Sequence, residues 1–314
     1  MTDIQKKIDK SIERLRAFEP EEGYYLCFSG GKDSQTIYHL AQLAGVKFDA
    51  HYSVTSVDPP ELVRFIKTHY PDVQREIPRD KNGKPVTMWN LIEQYNMPPL
   101  RMYRYCCTKL KENIVQGRLK VTGVRWAESV RRSKNHGNVT FQAKPKTTQK
   151  AADALGLEYG LSLQGNVILN DDNDESRRLV EQCYRTQSTL VNPIVDWEES
   201  DVWEFLNNVV KVEHCCLYDE GYTRIGCIGC PMAKLSEREK EFERWPKFKQ
   251  AYIHAFGRML ANRTAKGKSN TEPNDWSTPE KVFDWWMYAE KRGALPGQIS
   301  IDDFLKESAN NDND

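Results

Sequence analysis

The feature that most constrains this chain is a glycine-rich turn between an apolar run and a helical pattern. Residues 24–28 form a short continuous apolar run, which is typical of a strand buried on both faces. The turn SGGKDS, residues 29–34, follows at once, and residues 35–43 have a helical pattern. Adjacent glycines let backbone N–H groups converge on an anion, and the helix start adds unpaired N–H groups and a positive dipole end. The turn therefore predicts a phosphate-binding loop at a strand end.

The polar side chains of this turn have distinct expected roles. Ser29 and Ser34 offer hydroxyl donors, and Lys32 supplies a positive charge. Asp33 would repel phosphate, so we expect it to hold Mg²⁺ or to orient the loop. The spacing between the glycines and the lysine differs from that of a Walker A loop. The alternative is a strand-to-helix turn that needs glycine only for tightness.

Strand and helix patterns alternate over the first two thirds of the chain, which predicts βαβ units and a parallel sheet. Residues 133–178 are polar and predict an insertion or flap, with a hairpin at about 161–169. The expected domains are an α/β nucleotide-binding domain over 1–200, a helical cysteine-bearing region over 201–307 and a polar tail over 308–314. The predicted elements are helices at 3–18, 35–43 and 61–68, and strands at 24–28, 48–54, 119–124 and 189–195.

Composition narrows the class of protein further. The formal net charge is zero, so no overall basic field attracts the chain to nucleic acid or a membrane. The first residues are charged rather than apolar, and no apolar run is long enough to span a bilayer. We therefore expect a cytoplasmic protein without a membrane partner. In that reducing compartment the 8 cysteines are expected to be metal ligands, reactive thiols or core residues rather than disulfides.

A second motif, GVRWAESVRR at residues 123–132, follows the predicted strand at 119–124. It places Arg125 and Arg132 beyond a strand end, at the same sheet edge as the glycine turn. Guanidinium groups suit phosphate oxygens, and Glu128 can hold one of them in place. The alternative is a solvated basic helix start.

Four cysteines have the spacing of a metal site. Cys106 and Cys107 are adjacent, and Cys227 and Cys230 form a C-x-x-C turn that glycine and proline help to bend. Four sulfur ligands suit either a [4Fe–4S] cluster or Zn²⁺. Cys216 is an alternative to Cys106 as a ligand, and a redox dithiol at the C-x-x-C turn is a rival interpretation. In contrast, Cys27 and Cys183 are expected to be small core residues.

These motifs together resemble a known superfamily. SGGKDS is similar to the PP-loop of N-type ATP pyrophosphatases and adenosine phosphosulfate (APS) reductases. Residues 123–132 look like the G-x-R-x-x-E-S-x-x-R pattern of the phosphoadenosine phosphosulfate (PAPS) reductase family. The CC…CxxC arrangement resembles the iron–sulfur site of assimilatory APS reductases and of DndC-type DNA-phosphorothioation proteins. The resemblance implies an α/β fold of the HUP type, a doubly wound parallel sheet with a helical C-terminal region, and an adenine nucleotide at its carboxyl edge.

The resemblance also implies cofactors and site residues. The nucleotide would be ATP, or PAPS or APS, with Mg²⁺, and a [4Fe–4S] cluster is preferred to Zn²⁺. The segment at 55–61 would lie near the adenine and ribose. The expected nucleotide-binding residues are Ser29, Gly30, Gly31, Lys32, Asp33, Ser34, Thr55, Gly123, Arg125, Glu128, Ser129 and Arg132.

Two departures from the sulfonucleotide reductases favour an ATP enzyme. Those reductases carry a catalytic cysteine near the C-terminus, whereas no cysteine follows Cys230 here. They also usually lack the full SGGKDS turn, because their nucleotide has no β,γ-pyrophosphate. The first hypothesis is therefore an ATP pyrophosphatase that adenylates an acceptor for sulfur transfer in nucleic-acid modification, as in DndC-type proteins. Its expected catalytic residues are Lys32, Asp33, Arg125 and Arg132.

Two other hypotheses remain open. One is a PAPS or APS reductase that uses Cys215 or Cys216 as its thiol. The other is a non-catalytic nucleotide-binding subunit of a DNA-modification or defence complex. The expected partners are a sulfur-donor protein such as a cysteine desulfurase, and DNA or other subunits of a modification complex.

Overall fold

The computed structural model describes residues 3–112, 117–142, 145–186 and 188–288. These residues divide into two compact units. The first unit contains the described residues up to 54, those of 58–78 and those of 112–226. The second contains residues 55–57, 79–111 and the described residues from 227 onward. The division therefore differs from the expected boundary at 200, and the cysteine-bearing helical unit also takes in two segments from the first half of the chain.

The first unit is built on one eight-stranded sheet. Its order is β3-β2-β1-β4-β8-β5-β7-β6, and the first five strands in this order are parallel. The strands are β1 (Tyr24–Cys27), β2 (Phe48–Ser53), β3 (Gln74–Glu76), β4 (Lys120–Val121), β5 (Val139–Phe141), β6 (Gly160–Leu161), β7 (Val167–Leu169) and β8 (Thr189–Val191).

The order of the parallel strands confirms the expected doubly wound α/β fold. From β1 the chain moves outward through β2 to β3, and it then returns to the other side of β1 through β4 to β8. The strand order thus reverses between β1 and β4, and ligands of open α/β sheets bind outside the carboxyl ends of the strands at such a point. The glycine turn follows β1 and the arginine motif follows β4, so the topology brings both motifs to the same crevice.

Apolar periodicity explains how the helices of this unit form. The first helix, α1 (Asp3–Ala17), carries Ile4, Ile8 and Leu15 on its buried side. The next helix, α2 (Lys32–Ala44), ends at Gly45, whose φ of 69° suits the left-handed cap that glycine favours. The remaining helices are α3 (Pro60–His69), α6 (Val130–Asn135), α7 (Pro145–Ala154), α8 (Asp174–Cys183) and α9 (Glu199–Glu204), which continues as a π-helix (Phe205–Val210).

The region 133–178 is part of the sheet rather than a separate flap. The strand β5 pairs antiparallel with β8, and β7 then pairs antiparallel with β5. The expected hairpin is confirmed, because β6 pairs antiparallel with β7. Val139, Val167 and Leu169 are buried. This mostly polar stretch therefore contains short apolar strands that extend the sheet.

The second unit is helical. Its helices are α4 (Met88–Tyr95), α5 (Tyr105–Cys107), which leads into a π-helix (Thr108–Glu112), α10 (Leu235–Arg244), α11 (Pro246–Ala265) and α12 (Pro279–Tyr288). Tyr252, Phe256 and Trp286 form its aromatic core. Across the described ranges, no helix combines the length and the apolar character that a membrane crossing requires. The predicted tail at 308–314 lies outside the described residues.

Candidate functional site

The glycine turn adopts a backbone that only glycine accepts easily. Gly30 has a φ of 74°, and a Cβ added there would approach Ile66 Cδ1 to 2.7 Å and Leu62 Cδ1 to 2.8 Å. Gly31 is the residue before α2, where no side chain caps the helix. The first-turn N–H groups of α2 are therefore presented at the carboxyl end of β1, as a phosphate-binding loop requires.

Gly30→Ala is expected to distort this loop. The substitution adds strain at a positive φ and a Cβ that clashes with α3, so we expect nucleotide binding to be lost and the free energy of unfolding to fall by about 2 kcal/mol. Titration with ATP and denaturant unfolding measure the two effects. Gly45→Ala is the matched control, because Gly45 has a similar φ of 69° but no neighbouring atom within 4 Å of the added Cβ. Equal ATP binding by the two variants would contradict the prediction.

The hydroxyl groups of the turn stabilise its conformation. Ser34 Oγ donates to the carbonyl oxygen of Gly31 at 2.8 Å, and Ser29 Oγ donates to Ser34 Oγ at 3.2 Å. Ser34 is buried. The two serines thus fix the start of α2, and their role as phosphate donors stays a prediction.

Lys32 is 4% exposed, and its ammonium group contacts the loop that precedes Gly226. Its Nζ donates to the carbonyl oxygen of Thr223 at 3.0 Å and lies 3.7 Å from Glu199 Oε1. The ammonium group also lies over the Tyr218 ring, 5.5 Å from its centre. A buried ammonium held in this way supplies a fixed positive charge beside the glycine turn.

Arg125 joins the two sequence motifs directly. Its side chain is 2% exposed, and its Nε donates to Asp33 Oδ1 at 2.6 Å. Gly123 lies against the same turn, because a Cβ added there would be 2.9 Å from the carbonyl oxygen of Asp33. Of the two roles expected for Asp33, the structure shows the orienting one, and Mg²⁺ binding stays a prediction. Arg125 therefore holds the PP-loop in position.

The rest of the arginine motif forms a short helix start. Glu128 accepts the Arg125 backbone N–H at 3.2 Å and pairs with the Arg132 guanidinium. Ser129 Oγ accepts the Arg132 backbone N–H at 3.2 Å, which makes Ser129 the N-cap of α6. Glu128 thus holds a guanidinium and Ser129 caps α6, and the expected contacts of both residues with a nucleotide stay predictions.

Positive charge accumulates around Arg132. The pKa of Arg132 is lowered from 12.5 to about 10, chiefly by burial and then by the charges of Arg224 and Arg125, while Asp33 opposes this shift. Like charges that depress each other's pKa are relieved when an anion binds among them. The sequence reasoning did not single out Arg224 or Tyr218. Their only signal was their position in the segment that leads to the C-x-x-C turn.

Thr55 and the C-x-x-C turn belong to the second unit. Thr55 is 1% exposed and accepts the Cys227 thiol hydrogen at 3.6 Å between Oγ1 and Sγ. The backbone N–H of Ile228 donates to Val57 at 2.8 Å. The Thr55 hydroxyl thus contacts the cysteine turn and also accepts the Val57 N–H at 3.3 Å, and its expected place near adenine and ribose stays a prediction.

The four expected metal ligands influence one another electrostatically. A hydrogen bond with Cys107 raises the pKa of the Cys106 thiol, as do burial and the charges of Cys107, Cys227 and Cys230. The alternate ligand Cys216 is exposed and belongs to the first unit. Several thiolates close together repel one another, and a bound metal centre removes this repulsion because its positive charge offsets theirs.

Four thiolates are the donor set that an iron–sulfur cluster would take. In the part of the chain that the structure describes, no three or more His, Cys, Asp or Glu side chains are grouped so that they could hold a metal ion. The ligand set therefore stays a prediction for the cluster and for Zn²⁺ alike.

Of the other cysteines, Cys183 and Cys215 are buried, Cys27 is half-buried and Cys216 is exposed. Burial raises the pKa of Cys27 and of Cys215 to about 11, and burial also raises the pKa of Cys183. Cys183 is buried on α8, which confirms its expected place as a small core residue.

The C-x-x-C turn is held by contacts within the second unit. Gly229 has a φ of 73°, and a Cβ added there would approach Phe242 Cζ to 2.6 Å. Its N–H donates to Glu241 Oε2 at 2.7 Å. The carbonyl oxygen of Ile228 accepts the Tyr252 hydroxyl at 3.0 Å. Because these main-chain groups are satisfied, the turn presents its two thiols from a fixed backbone.

The doubly wound sheet, with the glycine turn at its switch point, defines the class of the protein as a doubly wound α/β protein. Residues 23–233 match the phosphoadenosine phosphosulfate reductase domain, and the chain belongs to that family. It is 25% identical over 277 residues to an uncharacterized protein of Methanocaldococcus jannaschii, covering 82% of this chain and 54% of the relative. It is 28% identical over 118 residues to adenosine 5'-phosphosulfate reductase of Bacillus cereus, covering 36% of this chain and 50% of the reductase.

The chain thus spans about half the length of these curated relatives. Among solved structures, it is similar to a Candida glabrata FMN adenylyltransferase, with a TM-score of 0.42 and 14% identity over 72% of this chain and 64% of the other. It is also similar to a PAPS reductase of Candida auris, with a TM-score of 0.40 and 14% identity over 72% of this chain and 96% of the other.

Proposed function

We propose that this chain is an ATP pyrophosphatase that adenylates an acceptor for sulfur transfer. The observation that carries the proposal is the Arg125–Asp33 ion pair of 2.6 Å, which ties the arginine motif to a glycine turn of the ATP type. The turn supplies amide donors and the Lys32 ammonium for the β,γ-pyrophosphate end of ATP. APS and PAPS lack that group, so a complete turn favours ATP.

The reaction begins when an acceptor oxygen attacks the α-phosphorus of ATP. A new P–O bond forms, the bond to the bridging oxygen breaks, and pyrophosphate leaves with the electron pair. Lys32 and the first-turn amides of α2 stabilise the charge on the leaving group. Arg132 stabilises charge on the α-phosphate, and Arg125 keeps Asp33 and the turn in position. Mg²⁺, when bound, would neutralise phosphate charge, and Asp33 is the carboxylate that would hold it.

The cysteine set is proposed to serve the second half of the reaction. Cys106, Cys107, Cys227 and Cys230 would hold a [4Fe–4S] cluster, which supplies sulfur or electrons when bound. The adenylated acceptor is open to attack by a sulfur nucleophile, and the adenylate then leaves as AMP. A nucleic acid is the proposed acceptor, with a sulfur-donor protein such as a cysteine desulfurase as partner.

A second candidate function is reduction of PAPS or APS. The family membership and the named Bacillus cereus relative favour it. Such a reaction needs a thiolate that attacks the sulfur of the nucleotide. Of the adjacent pair, Cys216 is exposed, whereas Cys215 is buried with its pKa raised to about 11 by that burial. Cys216 is therefore the thiol to test.

Two parallel assays separate these functions. The protein is purified anaerobically, and its iron and sulfide contents are measured. Pyrophosphate release from ATP and sulfite release from PAPS with thioredoxin are then compared. Pyrophosphate release supports the first proposal, and sulfite release that is lost in Cys216→Ser supports the second. ATP binding without either product would contradict both and favour a non-catalytic nucleotide-binding subunit.

Lys32→Met is expected to lower kcat/KM for pyrophosphate release about 100-fold, because it removes one preorganised charge from the leaving group. Methionine retains the length of the side chain over the Tyr218 ring. The measurement is steady-state release of pyrophosphate from ATP. Lys47→Met, which changes an exposed lysine before β2, is the control and should leave the rate unchanged. A wild-type rate in Lys32→Met would contradict the assigned role.

A further inference from the structure

One donor of the PP-loop is already occupied by another part of the protein. The backbone N–H of Lys32, at the first position of α2, donates to the Tyr218 hydroxyl oxygen at 2.9 Å. A first-turn N–H has no partner within its own helix, and it is the kind of donor that a phosphate oxygen accepts. The phenol oxygen thus takes the position of an anion oxygen at the helix start.

The same segment binds the second donor of the turn. The Lys32 ammonium donates to the carbonyl oxygen of Thr223 at 3.0 Å and lies over the Tyr218 ring. Tyr218 also closes over the glycine turn, because a Cβ added to Gly31 would be 3.3 Å from its hydroxyl. Residues 218–223, here termed the capping segment, therefore satisfy both the amide and the ammonium with neutral oxygens.

The capping segment is a compact turn held by main-chain hydrogen bonds. The N–H of Gly221 donates to Tyr218 at 3.0 Å, and the N–H of Tyr222 donates to Leu217 at 3.1 Å. Gly221 has a φ of 82°, and residues 219–221 are exposed. Exposed segments with few buried contacts have low local stability, and ligand-binding loops are drawn from such segments.

Tyr218 also connects the PP-loop with a cavity. Its ring packs edge-on against Trp203, with ring centres 5.0 Å apart. Both rings line a cavity of about 340 Å³, together with His214, Tyr222 and Glu199. A displacement of Tyr218 would change the shape of this cavity and the surroundings of the Trp203 indole.

We propose that Tyr218 is a displaceable substitute for a phosphate oxygen, so that the capping segment sets the affinity of the PP-loop for pyrophosphate-bearing nucleotides and reports their binding to the adjoining cavity. The charged oxygen of the ligand replaces the neutral phenol, because a charge-assisted hydrogen bond is stronger than a neutral one. This inference rests on the proposed binding of a diphosphate group at the turn.

The test is the affinity of Tyr218→Phe for inorganic pyrophosphate and for ATP. Removing the hydroxyl leaves the Lys32 N–H without its internal competitor, so we expect the dissociation constants to fall about fivefold, which is the effect of one neutral hydrogen bond. General damage to the site would instead weaken binding. Tyr159→Phe, which removes a tyrosine hydroxyl that donates to Asp153 at 3.0 Å outside the capping segment and the cavity, is the matched control and should bind as the wild type does. Thermal unfolding checks that both variants are folded.

A second measurement follows the motion. Pyrophosphate should change the tryptophan fluorescence of the wild type, and this change should be lost in Trp203→Phe. Unchanged or weaker binding by Tyr218→Phe, with normal binding by the wild type, would overturn the inference and leave the proposed function standing. Absence of pyrophosphate and ATP binding in wild type and variant alike would overturn both.

Discussion

Arg125→Met is expected to lower pyrophosphate release from ATP about 1000-fold and the free energy of unfolding by about 3 kcal/mol. Arg125 is 2% exposed and its Nε contacts Asp33 Oδ1 at 2.6 Å. Removing one partner of a buried ion pair leaves the other charge uncompensated, which costs about 3–5 kcal/mol. We expect a cost near the lower end of this range, because the Asp33 side chain is 24% exposed. The catalytic loss is larger because the glycine turn and its carboxylate lose their position together.

The two effects are separable in a double-mutant cycle. Asp33→Asn in the Arg125→Met background should restore much of the unfolding free energy, because no uncompensated carboxylate remains, while the rate should stay low. Denaturant unfolding and pyrophosphate release are measured for all four proteins. Arg131→Met, which changes an exposed arginine in the same motif, is the control and should retain the wild-type rate. A double variant as unstable as the single variant would contradict the proposed ion-pair energetics.

The sequence predicted that the glycine turn and the arginine motif meet, and the reason is topological. A buried strand before the glycine turn and another before Gly123 were sufficient to place both turns at the carboxyl edge of one parallel sheet. The structure adds what spacing cannot show, which is that Gly123 lies against the backbone of Asp33. The strand predicted at 119–124 is shorter than expected, because β4 covers only Lys120–Val121 and the chain then turns into this contact.

The residues that sequence reasoning missed act through long-range contacts. Tyr218 bonds to a backbone amide 186 positions earlier, and no local pattern marks that pairing. Arg224 was visible only as one more basic residue before the C-x-x-C turn. Glu241 was hidden for another reason. It lies on a helix, α10, that is otherwise rich in exposed charge, and only tertiary packing shows that this one carboxylate is buried.

The expected insertion or flap at 133–178 shows how far amino-acid composition alone can predict structure. Polar residues and turn signals dominated the stretch, and its three short strands carry only two or three residues each. The buried residues on β5 and β7 suffice to extend the sheet, because each pairs with a strand that is already ordered. Pairing with an existing edge needs less apolar surface than an independent domain does.

Glu241→Gln is expected to remove a pH dependence of stability that the wild type shows between about pH 5 and pH 8. Glu241 is 9% exposed, and burial raises its pKa from 4.5 to about 7, although the Gly229 N–H and Arg238 oppose this shift. A raised carboxyl pKa means that the folded state favours the proton. Stability relative to the variant is therefore greatest below pH 4.5 and falls as the pH rises through 7, by about 3 kcal/mol in total.

The side-chain amide introduced by Glu241→Gln keeps an oxygen that can accept the Gly229 N–H, so the substitution tests the charge rather than the hydrogen bond. Denaturant unfolding of the metal-free protein at pH 5, 6, 7 and 8 gives the difference between wild type and variant at each pH. Glu243→Gln, which changes an exposed glutamate on the same helix, is the matched control and should follow the wild type. Parallel stability curves for wild type and Glu241→Gln would show that Glu241 is already ionised across this range. In that case the C-x-x-C turn is held by a permanent carboxylate.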